Sequence, residues 1–267
     1  LAGTNKDADT EQNILLGCKA GCCLNAGDQN VFIGCKSGQY TTSGSHNIGI
    51  GAETLGLNTP GNYNIAFGYF AGRAPSSTTN NVWIGKCVAA NNAVTGVENI
   101  AIGCHAMCKA SSGGQNIAIG NASASSTNVT GTANIFLGVS SGKNLSSGTC
   151  NIAMGRCAMA AGTITGCRNI AIGENAGCAI TSSNNLILIG RDAGKALTAS
   201  QNNVYIGAEA GRADTDGQAN VFIGCCTGYN FDGGTSNVII GDNSGKAFTN
   251  PIAAISIGPQ NLNESTQ

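Results

Sequence analysis

The sequence predicts an all-β fold: a parallel β-solenoid (β-helix or β-roll) of about 15 coils with a 17–18-residue repeat. Three observations lead there. A five-residue phrase, seen twice in "NIAIGCHAMCKASSGGQNIAIG" (Asn99–Gly120), returns along the whole chain, its closing glycine standing at Gly17, Gly34, Gly51, Gly68, Gly85, Gly103, Gly120, Gly138, Gly155, Gly173, Gly190, Gly207, Gly224, Gly241 and Gly258. Inside the phrase, the second position is always Ile or Val and the fourth is always apolar, the alternation of a short strand. The repeat is too short for two helices or a four-stranded propeller blade, but it suffices for one small coil that stacks on its neighbours. The coils occupy 13–258, preceded by an N-terminal segment, 1–12, a candidate inter-subunit contact, and followed by a C-terminal tail, 259–267.

Each coil opens on asparagine at Asn13, Asn30, Asn47, Asn64, Asn81, Asn99, Asn116, Asn134, Asn151, Asn169, Asn203, Asn220 and Asn237, with Leu186 and Ala254 as the exceptions. Stacked in one column, these amides can bond up and down the coils as a ladder. A local turn cap by each side chain is the equal alternative. Either role is structural.

The strand follows. Its second and fourth positions (Ile14 and Leu16, Val31 and Ile33, through Ile255 and Ile257) are expected to face the core. That leaves the third position outside: Leu15, Phe32, Gly49, Ala66, Trp83 and onward to Tyr205, Phe222 and Ser256, without one charge. A solvated face should alternate with polar residues, so either another part of the same coil or, as the favoured reading, a partner chain or neighbouring protomer is expected to cover it, with Trp83, Tyr205 and Phe222 as inter-subunit candidates.

After the closing glycine, two variable residues lead to a small one (Ala20, Ser37, Thr54, through Ser244), which implies a tight interior corner. Further glycines, such as Gly21 and Gly27, mark turns. The 18-residue coils are expected to place their extra residue in the polar stretch before the turn glycine, where insertions are tolerated.

Composition narrows the function. Forty glycines and 10% charged residues are unlike ordinary globular usage, where about 25% are charged. A net charge of −1 with scattered Lys and Arg gives no basic stripe for nucleic acid, and no run of apolar residues is long enough for a membrane span. No cofactor or metal motif is present. Cys104, His105 and Cys108 lie close together, yet the chain has no CxxC pair and only two histidines.

The thirteen cysteines read instead as cross-links. Cys18 and Cys35 share a column in adjacent coils, about 4.8 Å apart and within disulfide range. Cys87 with Cys104 and Cys150 with Cys167 are near-neighbours, and Cys157 with Cys178 is a looser pair. Disulfides imply an oxidising, extracellular setting or a cell or virion surface. Because thirteen is odd, one thiol is left over or meets another chain. The vicinal pairs Cys22–Cys23 and Cys225–Cys226 are candidates for linking subunits head to tail, with intrachain pairing as the alternative. Candidate N-glycosylation acceptors are Asn121, Asn128, Asn144 and Asn263.

"GNYNIAFGYFAG" (Gly61–Gly72) and "CRNIAIGENAG" (Cys167–Gly177) resemble the Asn-x-Ala-Ile-Gly repeats of phage tail-fibre and bacterial surface proteins and, more distantly, the head repeats of trimeric autotransporter adhesins. The resemblance implies an elongated, often trimeric fibre or adhesin.

The expectation is a structural subunit of an extracellular fibre or filament, self-assembling head to tail as a homo-polymer and stabilised by disulfides, because neither flank reads as a cap over an open strand edge. The alternative is a homo-trimeric adhesin shaft that binds a cell-surface glycan. An enzyme would need an acidic and basic cluster that breaks the repeat, whereas Glu174, Arg191, Asp192 and Glu209 fall one or two to a coil in variable slots. An ice-binding solenoid would need a regular threonine array, and here the threonines wander through the loops.

Overall fold

The computed structural model describes residues 12–57, 61–73, 77–90, 94–125, 128–246, 248 and 250–259. These form a parallel β-solenoid with one three-residue strand per coil and two compact units. Unit 1, residues 1–133, holds β1 (Ile14–Leu16), β2 (Val31–Ile33), β3 (Ile48–Ile50), β4 (Ile65–Phe67), β5 (Val82–Ile84), β6 (Ile100–Ile102) and β7 (Ile117–Ile119). Unit 2, residues 134–267, holds β8 (Ile135–Leu137), β9 (Ile152–Met154), β10 (Ile170–Ile172), β11 (Ile187–Ile189), β12 (Val204–Ile206), β13 (Val221–Ile223), β14 (Val238–Ile240) and β15 (Ile255–Ile257).

Within each unit the strands pair in chain order, and each phrase lies directly over the next, Ile14 on Val31 and Ile170 on Ile187. The closing glycine sets this stacking. Its φ is +134° at Gly17, a backbone conformation closed to most L-residues, and a Cβ there would lie 2.5 Å from the carbonyl oxygen of Gly34. Coils that touch at this corner leave no room for a side chain.

The strand faces are the reverse of the sequence expectation. The third position points inward: Phe32, Ala66, Trp83, Phe136, Leu188, Tyr205 and Phe222 are completely buried, and the second and fourth positions lie on the outside. Trp83, Tyr205 and Phe222, expected at a subunit interface, are core residues. The cause lies in the period of two. Asn opens the phrase two places before the third position, so both share a face. Sheltering the amides from water therefore turns the third position inward and the aliphatics outward.

Two further columns complete the interior. The small residue three places after the closing glycine is buried wherever it is described, from Ala20 through Ser37 to Ser244. A second apolar column follows at Leu24, Leu145, Ile180, Leu197 and Phe231, seven places after that glycine. In the 18-residue coils its counterpart comes nine places after, at Val94, Val129 and Ile164, and the bridges Ala110 to Val129 and Leu145 to Ile164 keep the column continuous. In unit 2 the column meets the third position through rings: Tyr205 stacks on Phe222 at 4.5 Å, and Phe231 meets Phe222 edge-on at 4.7 Å.

Candidate functional site

The outward face of the sheet is the most extensive chemical feature of the surface. In each unit it is two parallel columns, the second and fourth strand positions, one strictly Ile or Val and the other Ile or Leu apart from Phe67 and Met154. No polar or charged side chain interrupts either column. Ile65, Phe67, Ile84, Ile172 and Ile223 stand more than a third exposed even with strands on both sides. Polar residues border the strip. One rim carries Gln29, His46, Tyr63, Glu98, Gln115 and Arg168, with His46 and Tyr63 stacked at 4.6 Å and Gln115 bonded to Glu98 at 3.0 Å. The other carries Cys18, Cys35, Lys86, Arg156 and Glu174.

Beneath this face runs the asparagine column, and each side chain does two things at once. The Oδ1 of Asn30 accepts from the backbone N–H and the Nδ2 of Asn47, at 2.9 and 3.1 Å. The Nδ2 of Asn30 also donates to the turn carbonyl of Gly44 at 2.8 Å. The pattern repeats through Asn64, Asn81, Asn99 and Asn116, and again through Asn151 and Asn169. A ladder between coils and a turn tie within the coil are thus served by one amide. At Leu186 the ladder accepts no side-chain donor: Asn169 Oδ1 takes the Leu186 N–H at 3.1 Å, and β11 still pairs with β12 in register.

The cysteine pairs separate by geometry. Cys18 and Cys35 occupy one column, since the Lys36 N–H donates to Cys18 O and the Glu53 N–H to Cys35 O, and both thiols are exposed. Cys104 lies over Lys86 rather than over Cys87, because the His105 N–H donates to Lys86 O; its thiol sits 3.1 Å from His105 Nδ1. Cys150 is offset by one column from Cys167, whose sulfur takes the Thr149 hydroxyl at 3.1 Å. Cys157 and Cys178 stand two and five places after their closing glycines. None of these eight thiols is bridged.

Nor do the vicinal pairs match. Cys22 and Cys23 stand five and six places after Gly17, Cys225 and Cys226 one and two after Gly224, and β14 and β15 follow the second pair. The two pairs thus occupy different positions of the repeat. The sulfurs are 3.8 Å apart in the first pair and 3.5 Å in the second. Burial, then the hydrogen bond and charge of the neighbouring thiol, raises the pKa of Cys22 and lifts that of Cys226 to about 11. These thiols are poor nucleophiles at neutral pH.

Of the glycosylation candidates, Asn121 and Asn128 are exposed, whereas Asn144 Nδ2 is engaged by the carbonyls of Ala160 and Ala161 at 2.9 and 3.2 Å. Asn263 lies outside the described residues, as do the tail from 260 and residues 1–11.

Unit 2 carries one feature that sequence reasoning missed. Asp214 stands in the apolar column, where the preceding coil has Leu197, and is fully buried. Its Oδ2 accepts from the Tyr205 hydroxyl, and its Oδ1 from the N–H groups of Gly217 and Gly233 at 2.9 and 3.0 Å. Burial outweighs these bonds and pushes the carboxyl up to about 6; burial and the facing carboxylate raise the Tyr205 phenol well above its ordinary value. Asp216 and Asp232 place carboxyl oxygens within 4.8 Å of it, a set that offers one ligand oxygen from each residue. The signal in the sequence was an acidic residue in a column of leucines.

Near it, an open groove of about 540 Å³ has a floor of Ala161, Ala179, Ala196 and Ala213, with Lys195 and Arg212 on its wall. Arg212 Nη1 donates to the Tyr229 hydroxyl at 2.7 Å, while Lys246 stands 5.5 Å from the centre of the same ring. The charged slots named from sequence form a surface network, Arg191 with Asp192 at 3.0 Å and with Glu209 at 2.5 Å, Lys195 with Asp192 at 3.2 Å, and Arg156 with Glu174. Burial pulls the Asp192 pKa up, but the Asn175 and Lys195 hydrogen bonds and the nearby cations prevail and lower it.

Comparison with protein-family models, with curated proteins and with solved structures found no match to the chain.

Proposed function

We propose that the protein is a structural subunit of an extracellular fibre or filament, assembled by setting the first coil of one copy on the last coil of another. The observation that carries this reading is the uniformity of the coil-to-coil joint. Within each unit the described strand pairs share one parallel register, so a joint between copies needs no surface that the chain does not already use. A joint of Ala254 to Asn13 would repeat the internal junction of Leu186 to Asn203, where a coil without the asparagine precedes one that has it and the strands pair regularly. Terminal strands also present open aliphatics: Ile14 and Leu16 are 57% and 64% exposed, Ile255 and Ile257 75% and 70%. Disulfides between adjacent coils, Cys18 to Cys35 first among them, would stiffen such a subunit. Electron microscopy of native, non-reduced material tests the reading. Filaments with an axial repeat equal to one subunit are expected; discrete short particles at all concentrations would overturn it.

A second reading, an adhesin shaft that binds an acidic cell-surface glycan, draws support from the alanine-floored groove. Arg212 there pairs with no carboxylate among the described residues, and its Nε, buried, has no hydrogen-bond partner. Binding of a sulfated oligosaccharide that is lost in Arg212→Ala would favour it.

A further inference from the structure

We infer that the outer Ile/Val face of each unit is a lateral association face, and that its occupant is a second copy of this chain. This goes beyond end-to-end growth and concerns a different surface.

The fold does not need these aliphatics. The core is built from the third strand position, the small column and the second apolar column, and any β-prone residue would satisfy the outer positions. Single exposed apolar residues are ordinary, but an unbroken strip without one polar side chain in either unit is the mark of a covered surface. The second-position column is entirely β-branched, so its side chains are stiff and little rotamer freedom is lost when they are covered.

Spacing selects the occupant. The aliphatics recur once per strand, about every 4.8 Å. A surface with another period meshes for two or three strands and then falls out of step. A second copy turned to face the first offers the same period over the same length, with the columns interdigitating as in a dry sheet-to-sheet interface. The borders agree, since an uncharged centre ringed by polar residues of both signs is the anatomy of a protein interface. A membrane surface would instead favour a basic rim, and here Glu98 and Glu174 stand among Lys86, Arg156 and Arg168.

Area sets the extent. Each strand contributes a strip about 4.8 Å by 10 Å, so one unit offers roughly 340–380 Å². Two copies meeting through one unit each would bury roughly 700–800 Å² together, the scale of a weak, concentration-dependent contact, and the faces of both units, each paired in its own right, supply roughly twice that.

Sedimentation velocity on the full chain, under reducing conditions to exclude disulfide links, tests this. The variants are Ile100→Thr, Ile102→Thr, Ile117→Thr and Ile119→Thr together in unit 1, and Ile170→Thr, Ile172→Thr, Ile187→Thr and Ile189→Thr together in unit 2. Threonine keeps the β-branch and the strand preference. The native chain is expected to dimerise with rising concentration, each quadruple variant to raise the dissociation constant at least about tenfold, and circular dichroism to stay unchanged. Should a variant fail to fold, a photo-cross-linking residue at Ile172 of the otherwise native chain must still give copy-to-copy products mapping to the same face. A native chain that stays monomeric, threonine variants that associate like the native chain, or cross-links mapping elsewhere would overturn the inference. Filaments that persist at unchanged width in the threonine variants would reject the lateral face alone; face-dependent dimers that never lengthen would reject end-to-end growth alone.

Discussion

Phe32 fills the space that a side chain on Gly38 would need: a Cβ built there would lie 2.5 Å from the ring. The two residues belong to one coil, and the same exclusion recurs between Phe136 and Gly142 at 2.3 Å and between Tyr205 and Gly211 at 2.4 Å. In three coils with a small third position the partner is large, Gly49 with Leu55, Ala101 with Met107 and Ala153 with Met159, each of the larger residues fully buried. Ala66 and Ala171 face Gly72 and Gly177 instead, where a Cβ would meet Trp83 and Leu55 in the first case and Ile180 and Leu188 in the second. Interior volume is thus shared within a coil and between adjacent coils while the individual residues vary. Gly38→Ala is expected to cost about 2–4 kcal/mol, from overpacking and from a non-glycine residue at positive φ. Combining Phe32→Ala with Gly38→Met imitates the Ala101–Met107 coil and should be less destabilising than the two single changes summed, by at least about 1 kcal/mol. Urea unfolding followed through the buried Trp83 measures all four corners of the cycle.

This compensation also explains what could be read from the sequence. The period, the strand, the closing glycine and the asparagine column were legible because each recurs at a fixed offset. The direction of the strand was not, since alternation defines two faces without naming the inner one, and both were apolar. A tie-breaker was present in the sequence: the third position swings from Gly49 to Trp83, and most of its bulky members sit six places before a glycine. Only side chains that share an enclosed space need trade volume in this way. Asp214 stood out in the sequence only as an acidic residue in an apolar column; its pairing with Tyr205 was illegible, because Tyr205 comes from a different column and the pair has no counterpart in the other described coils.

The ladder predicts an asymmetry between adding and removing asparagine. Asn151 Oδ1 accepts from the N–H and the Nδ2 of Asn169, both at 3.0 Å, and its Nδ2 donates to Asn134 Oδ1 and Gly166 O at 3.1 and 2.8 Å. Asn151→Leu leaves the buried Asn169 N–H and the Gly166 carbonyl without these partners and should cost about 2–4 kcal/mol. Leu186→Asn should do the reverse, offering an Oδ1 to Asn203 and raising stability by about 1 kcal/mol. Urea midpoints of the two variants test both signs.

Asp214 makes stability depend on pH. Its carboxyl rises from 3.8 to about 6 on folding, so the folded chain holds the proton more tightly than the unfolded one. The stabilisation from this group is complete below about pH 4 and is lost as pH rises through about 6, by about 3 kcal/mol in all. Asp214→Asn keeps an acceptor for Tyr205 but does not titrate. The native chain should therefore lose stability relative to this variant between pH 4 and pH 7, measured as the difference in urea midpoints. Parallel curves would exclude Asp214 as the source.

Cys18 and Cys35 are expected to form the first disulfide on mild oxidation. They alone among the candidate pairs share a column in adjacent coils, and both thiols are exposed to oxidant. The strand spacing of about 4.8 Å falls inside the Cα range a disulfide tolerates, whereas Cys157 and Cys178 stand in different columns, two and five places after their closing glycines. Non-reducing peptide mass spectrometry should find the Cys18–Cys35 bridge early and no Cys157–Cys178 bridge at any time. Closing a coil in this way restricts the unfolded chain, so the oxidised protein should unfold at higher urea, and Cys18→Ser should abolish the difference. A Cys157–Cys178 bridge forming first would mean that the coils of unit 2 open far enough to bring distant columns together, which the continuous ladder from Asn151 to Asn169 opposes.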